Sequence, residues 1–178
     1  MSNQDYLQQL LDFPKQVEEA ASLGNDIKIE GPVENVILAG MGGSAGPGEI
    51  LSSAFTFTVP FFVNKEYDLP KLVRSKSLVF VVSYSGNTEE TVAAFKAARR
   101  VGAKIVAIAA GGKLEQLAQK EAVPFIKLPA GMQPRAAIAY LFFPMFNILH
   151  QHKFIVESAD ITGTVEALKN PGYTTRAK

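Results

Sequence analysis

The chain has 178 residues, of which 47% are hydrophobic, so it is long enough for one well-buried domain and short for two. Eighteen basic and seventeen acidic residues leave a formal net charge of +1, which gives no reason to expect nucleic acid or an acidic membrane surface as a partner. The absence of cysteine excludes disulfides and thiolate chemistry and is typical of the cytoplasm, and the longest apolar run, residues 136–143, is far too short to span a membrane.

Two helical segments are predicted ahead of the first strand. Residues 6–11 and 17–21 have helical patterning on either side of Pro14, and Gly24 ends the second segment. We therefore predict an N-terminal helical region over residues 1–30.

A glycine-rich loop follows the first predicted strand. Residues 35–40 form a short apolar run that leads into the loop at residues 41–48 and then into a helix. Gly42 and Gly43 would let the backbone approach a ligand without a Cβ in the way, and Ser44 can cap the helix. The loop lacks the spacing of a dinucleotide fingerprint and the lysine of a P-loop. Taken alone, it is more typical of a structural turn than of a binding site.

A cluster of hydroxyl residues follows another apolar strand, at residues 78–82. Ser83, Ser85 and Thr88 crowd the start of the next helix, where unpaired backbone N–H groups and a partial positive charge favour an anion, which we expect to be a phosphate. The alternative is an ordinary polar turn with capping residues. Because the hydroxyl cluster occurs together with the glycine loop, we favour the phosphate site over the ordinary turn.

The helix after this cluster is predicted to start near Asn87. Asn87 or Thr88 can cap it, and Glu90 can complete a capping box. Glu89 and Glu90 could act as acids or bases, but acidic residues in a first helical turn usually complement the helix dipole.

The remaining strands complete an alternating α/β pattern. Strands are predicted at residues 60–64, 104–110 and 124–128, with a helix over residues 113–121 between the last two. Crossovers of this length indicate a five-stranded parallel sheet between two layers of helices, with ligands bound at the carboxyl ends of the strands. The fold class is therefore a three-layer αβα sandwich.

Arg135 is a further candidate at this edge of the sheet. It follows a loop at residues 129–134 and opens a long apolar helix that should bend or break near Pro144. A guanidinium fixed between proline and apolar neighbours can neutralise an enediolate or phosphate oxygen. From the residues alone, a functional and a structural role are equally supported.

The C-terminal part is less informative. His150 and His152 are two residues apart, a spacing that does not share a helix face, so we expect neither a metal site nor a catalytic pair there. From about residue 151 the chain turns polar, with a short helix predicted over residues 165–169, and reads as a tail or linker.

Three motifs together resemble a known family. They are Gly-Met-Gly-Gly-Ser-Ala at 40–45, Ser-Tyr-Ser-Gly-Asn-Thr-Glu-Glu-Thr at 83–91 and Pro-Arg-Ala-Ala at 134–137. Their order and separation resemble the bifunctional phosphoglucose/phosphomannose isomerases of the sugar-isomerase (SIS) superfamily, over about residues 1–155. The resemblance implies an SIS-type, flavodoxin-like fold, a homodimer, and reversible isomerisation of glucose 6-phosphate or mannose 6-phosphate to fructose 6-phosphate. It implies no metal and no organic cofactor.

The resemblance also assigns roles position by position. The hydroxyls that would hold the substrate phosphate are those of Ser44, Ser83, Ser85 and Thr88. The sugar would lie along Gly42 and Gly43, and Arg135 would stabilise the enediolate.

Part of the family pattern has no counterpart in this chain. Family members have two such domains, and the glutamate that moves the proton and the histidine that opens the sugar ring lie in the second. We therefore expect a first SIS domain over residues 31–155, with residues 156–178 as a tail or linker toward a second domain. The alternatives are a single-domain isomerase of the hexulose-phosphate type, a regulatory module that senses a phosphosugar without converting it, and a purely structural dimerisation domain.

Overall fold

A computed structural model of the chain describes residues 3–157 and 160–170. In these ranges the strands are β1 (Asn35–Gly40), β2 (Phe61–Asn64), β3 (Ser77–Val82), β4 (Lys104–Ala109) and β5 (Phe125–Lys127). The helices are α1 (Asn3–Leu11), α2 (Phe13–Ala20), α3 (Gly46–Ala54), α4 (Glu89–Arg100), α5 (Gly112–Lys120), α6 (Ile138–Gln151) and α7 (Ile161–Lys169). Two short 3₁₀ turns, Gly42–Ser44 and Pro134–Ala136, lie in loops.

The five strands form one parallel sheet in the order β2-β1-β3-β4-β5. This is the flavodoxin-like order, and the predicted five-stranded α/β sheet is confirmed. Because β1 and β3 are neighbours, the loops that follow them leave the same edge of the sheet side by side, with Gly40 opposite Val82 in the register. The order in which strands are added to the sheet reverses here, since β2 lies on one side of β1 and β3 on the other. Folds of this class bind ligands at such a point.

Helices cover both faces of the sheet, because the strands are apolar on both sides. Along β3, Leu78 and Phe80 face a core cluster that includes residues of α2 and α6. Val79 and Val81 face the opposite cluster with residues of α4 and α5. All six residues of β3 are buried, which explains its continuous apolar run.

Two details of α6 differ from the prediction. Of the two outcomes expected at Pro144, a bend or a break, the break does not occur, because the helix continues through this residue. Arg135 precedes the helix in a 3₁₀ turn instead of opening it. A proline inside a helix removes one backbone hydrogen bond. Ten of the fourteen residues of α6 are buried, and this packing stabilises the helix across the missing bond.

The segment expected to be a tail contains a helix that packs on the domain. Val165 of α7 is 8% exposed and belongs to the core cluster shared with α2 and α6. Just before it, Ile155 pairs with Phe57 in an isolated antiparallel bridge. Residues 158–159 and 171–178 of this predicted tail lie outside the described residues. None of the helices in the described ranges has the length and apolar character needed to cross a bilayer.

Candidate functional site

The glycine loop and the hydroxyl loop are joined by a hydrogen bond. The backbone N–H of Tyr84 donates to Ser44 Oγ at 3.1 Å, and the Ser44 side chain is buried. Ser44 therefore does not cap α3 as predicted. The N-cap of α3 is Ala45, and it makes no side-chain cap bond. Because Ser44 Oγ accepts this bond, its own hydroxyl hydrogen stays available to a ligand.

Three hydroxyls lie together at the start of α4. Ser83 Oγ is 2.9 Å from Thr88 Oγ1 and 3.5 Å from Ser85 Oγ. Ser83 is buried, Thr88 is half-buried and Ser85 is exposed, so the cluster runs from the protein interior to solvent. Ser83 Oγ also accepts the backbone N–H of Gly86 at 3.1 Å, which fixes its orientation. The structure thus brings together the three hydroxyls that the motif predicts.

The first turn of α4 has no side-chain cap. The helix begins at Glu89, and the Thr88 side chain makes no capping hydrogen bond to it within the described residues. The predicted capping by Asn87 is wrong, because Asn87 Oδ1 accepts the backbone N–H of Lys113 in α5 at 3.1 Å. The predicted capping box with Glu90 is likewise absent. Uncapped N–H groups beside three hydroxyls favour the binding of an anion.

The acidic residues of this turn interact with a tyrosine of the loop after β2. The negative charge of Glu90 raises the pKa of the Tyr67 hydroxyl, which places the Glu90 carboxylate near that hydroxyl. Glu89 acts in the same direction on this pKa, with a smaller effect. Both carboxylates therefore belong to the end of the site at which the hydroxyls cluster.

Gly86 allows the hydroxyl loop to contact the loop after β4. It has a φ of +68°, and a Cβ on it would lie 1.7 Å from the carbonyl oxygen of Gly111. The carbonyl oxygen of Gly86 accepts the backbone N–H of Leu114 at 2.9 Å. Only glycine fits this contact. From sequence it could be read only as a turn residue, because Gly111 is remote in the chain.

Arg135 lies beside the glycine loop. A Cβ on Gly43 would lie 3.5 Å from the backbone nitrogen of Arg135, an ordinary van der Waals distance, so the glycine loop and the 3₁₀ turn of Arg135 are neighbours. The Arg135 guanidinium lies 6.0 Å from the centre of the Tyr6 ring, a cation–π distance. Tyr6 is in α1, and its part in this site had no signal in the sequence.

The two histidines lie away from these loops. His150 is exposed and stacks on Phe146. His152 Nε2 is 3.2 Å from the backbone nitrogen of Ile29, which precedes β1, at the opposite edge of the sheet. Within residues 3–157 and 160–170, no three histidine, aspartate or glutamate side chains are grouped as metal ligands.

The chain resembles known proteins in sequence and in fold. It is 40% identical over 166 residues to the bifunctional phosphoglucose/phosphomannose isomerase of Caldicellulosiruptor bescii, an alignment that covers 89% of this chain and 48% of that protein. It is 37% identical over 131 residues to the D-glucosamine-6-phosphate 4-epimerase of Sulfolobus acidocaldarius, covering 73% of this chain and 42% of that protein. The chain therefore spans about half the length of the curated relatives it matches.

Solved structures support the fold. The C-terminal domain of glucosamine-fructose-6-phosphate aminotransferase from Francisella tularensis superposes with a TM-score of 0.62 at 18% identity, covering 92% of this chain and 52% of that one. Residues 32–149, which include both loops and Arg135, match the family described as the SIS domain. Together with the three motifs and the geometry of the two loops, this match establishes that the chain belongs to the SIS domain family.

Proposed function

We propose that the two loops bind a hexose 6-phosphate. The phosphate would accept hydrogen bonds from Ser83, Ser85 and Thr88 and from the first N–H groups of α4, with Ser44 donating from the glycine loop. The sugar would lie along Gly42 and Gly43, toward Arg135. The observation that supports this most directly is the group of three hydroxyls at an uncapped helix N-terminus, in which Ser83 Oγ lies 2.9 Å from Thr88 Oγ1 and 3.5 Å from Ser85 Oγ.

We further propose that the bound sugar takes part in aldose–ketose isomerisation, between glucose 6-phosphate or mannose 6-phosphate and fructose 6-phosphate. This reaction needs a base within hydrogen-bond reach of C1 and C2 and a positive group near the enediolate oxygen. Arg135 can supply the positive charge. Glu89 and Glu90 lie at the phosphate end, so neither is suited to be the base. The name of the 40%-identical relative supports this reaction.

We propose that residues 31–155 are the binding domain, that residues 156–178 lead toward a second domain, and that the protein is a cytoplasmic homodimer. Exposed apolar side chains on α1 and α3 support an interface with another chain or domain. They are Leu7, Leu10, Leu11 and Ile50. Sedimentation equilibrium of residues 1–178 would test the dimer.

Phosphate binding can be tested by removing two hydroxyls. Each charge-assisted hydrogen bond lost should weaken binding by about 1.5–3 kcal/mol. Inorganic phosphate or fructose 6-phosphate at about 100 times its Kd should stabilise the wild type by about 2.7 kcal/mol. The Ser83→Ala/Thr88→Ala variant should lose most of the resulting increase in Tm, measured by thermal unfolding with and without ligand.

The matched control for this pair replaces two exposed serines outside the two loops, Ser22 and Ser52, with alanine. The control variant should keep the full increase in Tm. An increase that is the same in both variants would show that the anion binds elsewhere.

Residues 1–178 alone should bind the phosphosugar with little or no isomerisation. The reason is that the described carboxylates and histidines nearest in sequence or motif are already placed elsewhere. Glu89 and Glu90 lie at the phosphate end, Glu49 after the glycine loop pairs with Lys65, and His152 bonds to Ile29 at the opposite edge of the sheet. A coupled assay that follows glucose 6-phosphate formed from fructose 6-phosphate measures this directly. Rapid turnover by this chain would contradict the prediction and favour a single-domain isomerase, whereas binding without turnover is also what a regulatory module would show.

A further inference from the structure

Tyr84 lies between two of the proposed phosphate ligands, but its side chain contacts a different loop. Its hydroxyl donates to the carbonyl oxygen of Pro129 at 2.7 Å and accepts the backbone N–H of Met132 at 2.9 Å. The ring is buried, at 7% exposure. One hydroxyl therefore bridges two backbone groups of the loop that leads from β5 to Arg135.

This loop has few other internal attachments. Residues 129–131 are exposed, and the chain is buried again only at Leu128 on one side and Ala136 on the other. On the exposed side of the loop, Gln9 of α1 accepts the backbone N–H of Gln133 at 3.0 Å and donates to the carbonyl oxygen of Gly131 at 3.5 Å. The Tyr84 hydroxyl is thus a buried attachment of the loop. It bonds at Met132, which lies three residues before Arg135, and the Met132 side chain also packs against the core.

The backbone of Tyr84 connects the same residue to the other loops of the site. Its N–H donates to Ser44 Oγ in the glycine loop, and its carbonyl oxygen accepts the N–H of Ala110 after β4 at 2.8 Å. Because Tyr84 is hydrogen-bonded to the glycine loop, to the loop after β4 and to the 129–132 loop, it holds the Arg135 turn in position relative to the hydroxyl cluster. Burial raises the pKa of the Tyr84 hydroxyl, so it remains a hydrogen-bond donor at any neutral or mildly basic pH.

We propose that Tyr84 is a positioning residue, which acts through the 129–132 loop to set the distance between the Arg135 guanidinium and the phosphate-binding hydroxyls. A phosphosugar whose phosphate is bound by the hydroxyls can place the negative charge that develops near C1 and C2 beside Arg135 only if this distance matches the length of the sugar. The inference rests on the proposed function, because it takes Arg135 to be the group that meets that charge.

The test compares two ligands that differ in one charge. In 5-phosphoarabinonate a carboxylate occupies the place of the enediolate, and in arabinitol 5-phosphate a neutral alcohol replaces it. The ratio of their affinities, measured by isothermal titration calorimetry, reports the contribution of Arg135, while the affinity for inorganic phosphate reports the hydroxyl cluster. The variants are Tyr84→Phe, Arg135→Ala and the double variant.

We expect the wild type to favour 5-phosphoarabinonate, and Tyr84→Phe to lower this preference by about tenfold, the scale of a lost pair of hydrogen bonds. The affinity for inorganic phosphate should not change. Arg135→Ala should bring the ratio close to one, and adding Tyr84→Phe to it should have no further effect on the ratio. The control is Tyr140→Phe, another buried tyrosine whose hydroxyl bonds to Glu19 and not to this loop. It should leave both measurements unchanged.

The outcomes separate the two proposals. No binding of phosphate or of either ligand by the wild type would contradict the proposed function. Normal phosphate binding with an unchanged ratio in Tyr84→Phe would overturn the inference alone. A loss of phosphate affinity in Tyr84→Phe, or an additive effect of the two substitutions on the ratio, would also overturn it, because Tyr84 would then act on the fold or on the ligand without Arg135.

Discussion

Replacement of Arg135 with alanine should lower kcat by about 10²-fold or more, the usual scale for the loss of one electrostatic stabiliser of a transition state. The measurement needs a protein that can complete the reaction, such as residues 1–178 joined to the second half of the Caldicellulosiruptor bescii relative. Because the guanidinium would meet the charge that develops on the enediolate, the loss should fall on kcat more than on KM. The activity should need no added metal and should survive EDTA.

Two further variants make this result specific. Arg135→Lys keeps the charge but not the planar pair of donors, so its activity should lie between those of the wild type and the alanine variant. Arg100→Ala removes an exposed arginine of α4 that is remote from the glycine loop, and it should leave kcat unchanged. Equal activity of Arg135→Ala and the wild type would remove Arg135 from the mechanism.

Replacement of Gly86 with alanine should destabilise the fold by about 3 kcal/mol or more and abolish phosphate binding. The new Cβ would lie 1.7 Å from the carbonyl oxygen of Gly111, so one of the two backbones would have to move. Movement of Gly86 would also break the bond from its N–H to Ser83 Oγ, which orients the buried hydroxyl of the cluster. Urea-induced unfolding measures the change in stability, and calorimetry with inorganic phosphate measures binding.

Gly31 offers a matched control for Gly86. Its φ of +71° is nearly the same, but a Cβ there would meet no atom within 4 Å. Gly31→Ala should therefore cost only about 1–2 kcal/mol, the strain of a left-handed backbone for a residue with a side chain. If both alanine variants were destabilised equally, the contact with Gly111 would have no part in the effect of Gly86.

Sequence patterns were reliable where the determining interactions are local. The apolar run of β3 predicts a strand buried on both faces, because such a strand needs apolar residues at every position. The hydroxyl cluster was likewise predictable, since Ser83, Ser85 and Thr88 lie within six residues of one another and turn into the same helix end.

Local patterns failed where a side chain had two possible partners. Asn87 has the chemistry of an N-cap for α4, yet it binds the N–H of Lys113, 26 residues away. Ser44 could have capped α3, but it accepts the N–H of Tyr84, 40 residues away. Pro144 was expected to bend or break α6, and the helix does not break, because its buried surroundings stabilise it. In each case the competing interaction became available only when another loop or layer came into contact.

By itself, the sequence determined the alternation of strands and helices, the parallel sheet and the two loops suited to an anion, because strand burial and turn chemistry depend on neighbouring residues. The tertiary structure alone decided how the parts of the site are joined. The Tyr84 hydroxyl reaches Pro129 and Met132, 45 and 48 residues along the chain, and Gly43 packs against the turn of Arg135. These contacts depend on which strands are neighbours in the sheet, and strand order is set by the packing of the whole core, which no local stretch of residues contains.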